Sequence, residues 1–430
     1  MRVLLVGSGG RESALAWALA RSPRKPSLDC APGNAGLERH ARRVPIAAED
    51  VEALVAHARL ERYDLVVVGP EVPLTRGLAD RLRGEGIAVF GPEARAAEVE
   101  GSKAFSKAFM ERHRIPTARS ETFDDLSAAR TFLDGSDAVY PLVVKADGLA
   151  AGKGVVIAED AGTARAAAAS MLSGAAFGDA GRRIVVEEML GGREVSYFAL
   201  SDGARFVELA PCQDYKRVGD GDRGPNTGGM GTYSPSAWLD VTLRDTLARS
   251  VLAPTLEGLA AEGRPFRGVL FVGLMLTASG PKVLEYNARF GDPETQVLLP
   301  RLDGDWLDLL EATARGDLGG VTPRWKDDAA VCVVMASRGY PESSSVGDAI
   351  DGLDEAETLP GVVVFHAGTA RDASGRIVTA GGRVLGVTAT GPGLATARSR
   401  AYEAVSRIRW DGEHHRSDIA ADAVSATRGA

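Results

Sequence analysis

Short apolar runs alternate with amphipathic stretches through the first hundred residues. Val3-Leu4-Leu5-Val6 and Leu65-Val66-Val67-Val68 are continuous apolar runs that end in glycine, as strands buried on both faces do. Ser13 to Ala20, Val51 to Leu60 and Leu74 to Leu82 are amphipathic at helical spacing. This alternation predicts a doubly wound parallel α/β domain. Gly101-Ser102-Lys103 then opens a new helix, Ala104 to Arg112, which Pro116 ends, so a boundary is set near Gly101. Between residues 140 and 290 the pattern changes. Leu142 to Lys145, Gly154 to Ile157, Ile184 to Glu188, Val195 to Leu200 and Arg205 to Leu209 read as strands joined by glycine-bearing turns, with a helix over Thr163 to Leu172. A long helix, Thr242 to Glu262, precedes strands Gly268 to Leu276 and Lys282 to Asn287, an α+β arrangement. Beyond Arg324, strands Val331 to Met335, Val362 to Ala367 and Arg383 to Thr388 and a helix Ala395 to Ile408 predict a small antiparallel sheet, with a frayed end after Asp422.

Composition sharpens this picture. The 430 residues include 51 glycines, gathered at residues 7–10, 148–154, 219–231 and 380–382, which marks loops where backbone bends sharply or approaches a ligand. The formal charge of −8 gives no basic footprint for nucleic acid. Cys30, Cys212 and Cys332 are isolated and odd in number, against a disulfide or zinc framework and for a reducing compartment. No apolar run is long enough for a membrane span, and the one at Val3 stops too soon for a signal peptide. A cytoplasmic protein is expected.

Two familiar nucleotide fingerprints fail. Gly7-Ser8-Gly9-Gly10-Arg11-Glu12 follows a strand and opens a helix, but Glu12 stands where the dinucleotide motif needs its third glycine, although Asp29 lies at the distance of a ribose-binding acid. That turn either holds a phosphate on its free N–H groups or is simply tight. Gly148-Leu149-Ala150-Ala151-Gly152-Lys153-Gly154 has three residues between its first glycines and no Ser or Thr after the lysine, so it is not a P-loop. It reads as a hairpin tip able to fold over an anion, with Lys145 on the strand before it. In Leu284-Glu285-Tyr286-Asn287-Ala288-Arg289, the period of two puts Glu285 and Asn287 on one strand face, with Arg289 on the same side if the strand continues. A carboxylate and a carboxamide oxygen suit Mg²⁺, which takes its other ligands from phosphates and water. Glu187-Glu188-Met189-Leu190 and Glu194 leave a strand where acids could meet an adenine amino group and ribose hydroxyls, or form a solvated edge. The histidines show no metal spacing, and His414-His415 reads as solvent-exposed.

Seven stretches, in order, resemble the ATP-grasp superfamily and within it the phosphoribosylamine–glycine ligase family: Gly9-Gly10-Arg11-Glu12, Ala31-Pro32-Gly33-Asn34-Ala35-Gly36, Val68-Gly69-Pro70-Glu71, Gly101-Ser102-Lys103, Lys145 to Gly154, Gly224-Pro225-Asn226-Thr227-Gly228-Gly229-Met230-Gly231, and Arg289-Phe290-Gly291-Asp292-Pro293-Glu294. The resemblance runs from Val3 to about Asp418. It implies an N-terminal phosphoribosylamine-binding domain over residues 1–101, an ATP-grasp domain over 102–324 with a mobile lid subdomain about 118–190, and a C-terminal domain over 325–424. It implies ATP-dependent joining of glycine to 5-phosphoribosylamine through glycyl phosphate, in purine biosynthesis. Glu285 and Asn287 would hold Mg²⁺ or Mn²⁺. Lys103 and Lys145 would meet the ATP phosphates under the Gly148, Gly152, Lys153 and Gly154 loop, with Glu187 and Leu190 at the adenine and Glu194 at the ribose. Arg289 would face the transferring phosphoryl group and Asp292 the glycine end. Gly9, Gly10, Arg11, Gly33, Asn34, Pro70 and Glu71 would hold phosphoribosylamine, with Asp214, Lys216, Arg217 and the 224–231 loop closing over it. Partners implied are these small molecules, with no nucleic acid or membrane; a monomer is expected and an oligomer left open.

The chain departs from the family pattern at Ser8, at Ser13 (usually histidine) and at Ala420 (usually glycine), the first two being expected near the acceptor pocket. The competing expectations are another ATP-grasp carboxylate–amine ligase or carboxylase, and a non-catalytic nucleotide-binding protein. Gly224 to Gly231 with Arg289 to Glu294 argues against the first, and intact Lys103, Lys145, Glu285 and Asn287 against the second.

Overall fold

A computed structural model describes residues 1–149, 154–174 and 181–428. Its first sheet is wholly parallel. The strands are β1 (Arg2–Gly7), β2 (Ser27–Pro32), β3 (Arg42–Arg43), β4 (Leu65–Val68) and β5 (Ala88–Phe90), in the order β3-β2-β1-β4-β5. Val3 to Val6 and Leu65 to Val68 are buried on both faces, as their unbroken apolar character requires. The turns after β1, β2 and β4 carry Gly9 to Arg11, Gly33-Asn34 and Pro70-Glu71, so three sequence-distant motifs gather at the strands' carboxyl ends, where open α/β sheets place ligands.

Helices α1 (Gly10–Ala20) and α2 (Val51–Glu61) follow the pattern. The helix expected over Leu74 to Leu82 is instead two, α3 (Glu71–Thr75) and α4 (Leu78–Gly84), because Gly77 adopts φ +81 and turns the chain between them. After α5 (Ala94–Gly101), Ser102 accepts a hydrogen bond from Phe105 N and caps α6 (Lys103–Arg112).

Two antiparallel four-stranded sheets follow. The smaller contains β6 (Ser120–Phe123), β7 (Leu142–Ala146), β8 (Val155–Ala158) and β9 (Ile184–Glu188) in the order β6-β9-β7-β8. Its own core joins Leu142, Val144 and Ile184 to Ala129 and Leu133 of α7 (Leu126–Asp134) and to Ala164 and Ala168 of α8 (Ala161–Leu172). The larger contains β10 (Arg193–Asp202), β11 (Phe206–Glu208), β16 (Arg267–Thr277) and β17 (Gly280–Asn287) in the order β11-β10-β16-β17. One core cluster ties its Phe198 and Phe271 to Leu5 and Phe90 of the first sheet, through Trp306 and Leu310. The expected long helix runs over Val241–Ala261 and widens into a π turn at Ala248–Leu252, next to Pro254, which has no N–H to give the preceding turn.

The C-terminal sheet is larger than its own segment predicts. Strands β18 (Ala329–Ala336), β19 (Val362–His366) and β22 (Arg383–Gly391) pair antiparallel as expected, and β12 (Gln213–Asp214) and β15 (Gly231–Ser234) extend them to the order β12-β15-β18-β22-β19. The chain between β12 and β15 makes a hairpin of β13 (Arg217–Gly219) and β14 (Arg223–Asn226), and β20 (Thr369–Arg371) pairs with β21 (Ile377–Thr379). The end expected to fray forms a helix, Ala421–Arg428. Asp422 anchors it by accepting from Tyr215 Oη (2.5 Å) and pairing with Arg193 (2.7 Å). No described helix is long and apolar enough to cross a membrane.

Candidate active site

A cleft of about 560 Å³ separates the two antiparallel sheets. Val143, Lys145, Val155, Ile157 and Glu187 line it from the smaller sheet, and Phe271, Met275, Leu284, Glu285 and Asn287 from the larger. Arg11 and Glu71 reach it from the first sheet's strand ends, and Arg383 from β22. The cleft is therefore apolar over one part and densely charged over the rest.

Glu285 and Asn287 lie two residues apart on β17 and both face the cleft, as the strand period demands. The buried Asn287 amide nitrogen has no hydrogen-bond partner among the described residues, which leaves the carboxamide free to turn its oxygen outward beside the Glu285 carboxylate. Burial opposes ionisation of Glu285, but Lys216, Lys145, Lys103 and Arg289 outweigh it and hold the group below the usual carboxylate range. This donor pair fits a hard divalent cation that takes its remaining ligands from phosphate and water. No cluster of three or more His, Cys, Asp or Glu suited to a metal occurs among the described residues.

Facing this pair, Lys145 Nζ stands 3.0 Å from Glu187 Oε1, and Lys103 Nζ donates to Gly148 O at 3.1 Å. Burial above all lowers the Lys103 pKa, with Glu285 opposing and Lys145 assisting. Leu190 and Glu194 also line the cleft, as does Gly154 at the far side of the hairpin tip. Gly152 and Lys153 lie outside the described residues.

Arg289 enters from below. Its guanidinium meets Glu100 Oε1 at 2.9 Å and Glu71 Oε2 at 3.3 Å; burial opposes its charge, and the two acids hold its pKa above the usual arginine value. Asp292 faces the cleft but is already engaged. Oδ2 accepts from Arg11 N at 3.1 Å, Oδ1 from Gln296 Nε2 at 2.9 Å, and Arg383 lies 3.7 Å away. Beside it, Lys216 pairs with Asp214 at 2.9 Å and with Glu194 at 4.0 Å, and Glu294, 1% exposed, accepts from Ser196 Oγ at 2.9 Å. Burial raises the pKa values of Asp214 and Glu294 above all; Glu194 adds to the rise at Asp214 and Asp214 to that at Glu294, with Lys216 opposing both. Three acids thus share one ammonium group.

The residues expected around the acceptor divide. Arg11, Glu71 and Lys216 line the cleft; Asp214 stands behind Lys216. Arg217 points elsewhere, donating to Gly224 O within its hairpin. Gly9, Gly10, Gly33 and Pro70 sit at the strand ends, yet the turn's N–H groups are partly used: Gly9 N donates to Glu12 Oε2 (2.5 Å) and Arg11 N to Asp292. Glu12 also explains why the dinucleotide fingerprint fails. Its carboxylate fills the space over Gly69, where an added Cβ would come within 1.9 Å of Oε1. Asn34 spends its whole side chain on the backbone, donating to Ser8 O and His366 O and accepting from Gly36 N and Leu37 N. Ser13, expected near the acceptor, instead accepts from His366 N and borders a separate cavity of about 290 Å³. Sequence reasoning missed Glu100, Lys107, Glu294 and Arg383; of these only Glu294 lay inside a recognised motif.

Two facing antiparallel sheets, with Lys145 on one, a strand-borne acid–amide pair on the other and Lys103 on a helix that touches both, define an ATP-grasp enzyme. Residues 1–100, 101–295 and 330–422 match the N, ATP-grasp (A) and C domains of phosphoribosylglycinamide synthetase. The chain is 52% identical to the phosphoribosylamine–glycine ligase of Caulobacter vibrioides, covering 97% of each protein, and 50% identical to that of Brucella melitensis, covering 99% of this chain and 98% of the other. The crystal structure of the phosphoribosylamine–glycine ligase from Thermotoga maritima superposes with a TM-score of 0.85 at 34% identity, over 97% of this chain and all of that one. A biotin carboxylase domain from Hydrogenobacter thermophilus shares the fold at TM-score 0.74 and 16% identity. The chain belongs to the phosphoribosylamine–glycine ligase family, ATP-dependent ligases of purine biosynthesis.

Proposed function

We propose that this cleft activates the carboxylate of glycine as glycyl phosphate and passes it to 5-phosphoribosylamine. A carboxylate resists attack by an amine at neutral pH; as an acyl phosphate it carries a good leaving group. One oxygen of glycine attacks the terminal phosphorus of ATP and ADP leaves. The amine of phosphoribosylamine then attacks the carbonyl carbon, and phosphate departs with that glycine oxygen. Catalysis of this kind consists of positioning and charge neutralisation.

In this reading the base of ATP occupies the apolar part of the cleft by Val143, Val155, Ile157 and Leu284, with Glu187 and Leu190 at its polar edge and Glu194 towards the ribose. Lys103 and Lys145 neutralise the phosphates, and Arg289 the phosphoryl group in transfer. Glu285 and Asn287 hold the divalent cation, Mg²⁺ or Mn²⁺, which supplies charge neutralisation on the phosphates. Asp292, Glu194 and Glu294, which all line the cleft, would meet the amino group of glycine; each Asp292 oxygen keeps a lone pair beside its bond from Arg11 N or Gln296 Nε2. Arg11 and Glu71 extend from this point to the strand ends of residues 1–101, where the phosphoribosylamine binds. Three buried, unpaired thiols, Cys30, Cys212 and Cys332, support a cytoplasmic location.

The observation that carries this reading is the cleft face shared by Glu285 and Asn287, opposite Lys103 and Lys145. Glycine labelled with ¹⁸O in its carboxylate tests it. One label passes to released phosphate if glycyl phosphate forms; unlabelled phosphate removes that intermediate.

A further inference from the structure

Lys107 lies one helical turn beyond Lys103 on α6, so both side chains share a face and both line the cleft. Its side chain is 6% exposed and its ammonium group has three partners in reach. It meets Glu187 Oε2 at 3.2 Å, Thr117 Oγ1 at 2.8 Å and Ala118 O at 3.2 Å, while the other oxygen of Glu187 takes Lys145. Thr117 in turn donates to Val283 O at 2.7 Å, and Val283 N donates to Pro116 O. These contacts fall at one place in the fold. Residues 117 and 118 lead into the smaller sheet at β6, and Glu187 is in β9, from which the chain leaves towards β10. One ammonium group, on a helix that packs against β17 of the larger sheet and β9 of the smaller, therefore touches both crossings between the two halves of the cleft.

We propose that Lys107 is a positioning residue for the nucleotide. It fixes the smaller sheet against α6 and β17, and it shares Glu187 so that Lys145 is not drawn wholly onto that acid. Without Lys107, Glu187 keeps a single cationic partner. Lys145 is then pulled towards it and away from the phosphates, and the two faces of the cleft lose their fixed separation. The effect falls on nucleotide binding rather than on the glycine end, because Lys107 makes no contact with Asp214, Lys216 or Glu294. The inference rests on the cleft between the sheets being the nucleotide site, but not on the identity of the acceptor.

The test is the affinity for ATP-Mg²⁺ measured by titration calorimetry on the full-length protein without glycine or acceptor, followed by steady-state kinetics with each substrate varied. Lys107→Met is expected to weaken ATP binding by about tenfold or more and to raise the ATP KM in step, with the glycine KM within about twofold of wild type. Lys107→Arg, which keeps the charge, is expected to recover most of the loss. Thr117→Val, which removes one partner but keeps the ion pair, gives a smaller loss in the same direction and serves if Lys107→Met does not fold. Unchanged ATP affinity in Lys107→Met, or in Thr117→Val where that must serve, overturns the proposal, as does a parallel rise in all three KM values. If wild-type protein binds ATP but turns over without glycine, the ligase reading fails and this inference stands.

Discussion

Arg289 Nη2 lies 2.9 Å from Glu100 Oε1, so the guanidinium facing the cleft is braced from behind by an acid at the end of α5. Glu100 also accepts from Ala288 N at 2.7 Å and thereby fixes the backbone that carries Arg289. Burial pushes Glu100 up to about 7, with Glu71 assisting and Arg289 opposing. Glu100→Gln keeps the acceptor and removes the charge. We expect kcat to fall about tenfold to a hundredfold while the ATP KM changes little, because Arg289 loses its orientation for the phosphoryl group rather than for bound nucleotide. Equal kcat in wild type and variant would remove Glu100 from the account.

Glu285→Ala removes the carboxylate proposed to hold the cation, a group that faces the cleft rather than the core. Turnover should drop by at least about a hundredfold, with an unchanged unfolding midpoint. A near-normal rate would place the cation elsewhere.

His366 gives a stability effect with a defined sign. It is 2% exposed on β19, its Nε2 has no partner, and burial first, then Arg39 and Arg371, pull it down to about 4. The unfolded chain takes up a proton near pH 6.5 that the folded chain refuses until near pH 4. The contribution is therefore complete above about pH 6.5 and lost as pH falls towards 4. Urea unfolding at pH 7.5 and pH 5 should show about 2 kcal/mol less stability at the lower pH from this group alone, and His366→Asn should flatten the difference by that amount. An unchanged slope in the variant would mean that other groups control it.

Ala420, where the family usually carries glycine, is buried with φ +61. The left-handed backbone costs an alanine about 1 kcal/mol, which offsets what glycine would lose in methyl burial and chain entropy. Ala420→Gly should fall within about 0.5 kcal/mol of wild type, whereas Ala401→Gly, buried in the helix Leu394–Val405, should lose more than about 1 kcal/mol. Equal losses would show that the backbone at Ala420 carries no strain.

These residues also show where the sequence was legible. Glu285 and Asn287 were readable because a strand's period of two fixes which side chains share a face, whatever lies across from them. The parallel strands were readable because burial on both faces leaves an unbroken apolar run. Lys107 and Glu100 were not: on a helix, a lysine four residues after another, or a glutamate before a turn, has the same local pattern whether solvated or buried. Asn34 was visible as part of a motif but not as a brace, since its partners Ser8 and His366 come from the turn after β1 and from β19. Strands β12 and β15 span two and four residues beside a glycine-rich loop, too few to show a period.

In the proposed function, nucleotide cleavage in this cleft is coupled to joining glycine and phosphoribosylamine. The most direct measurement is ADP release by the purified protein with ATP-Mg²⁺, omitting glycine and phosphoribosylamine in turn. ADP and glycinamide ribonucleotide are expected in equal amounts when both are present, with only background release when either is missing. Equal ADP release with glycine omitted would contradict that coupling.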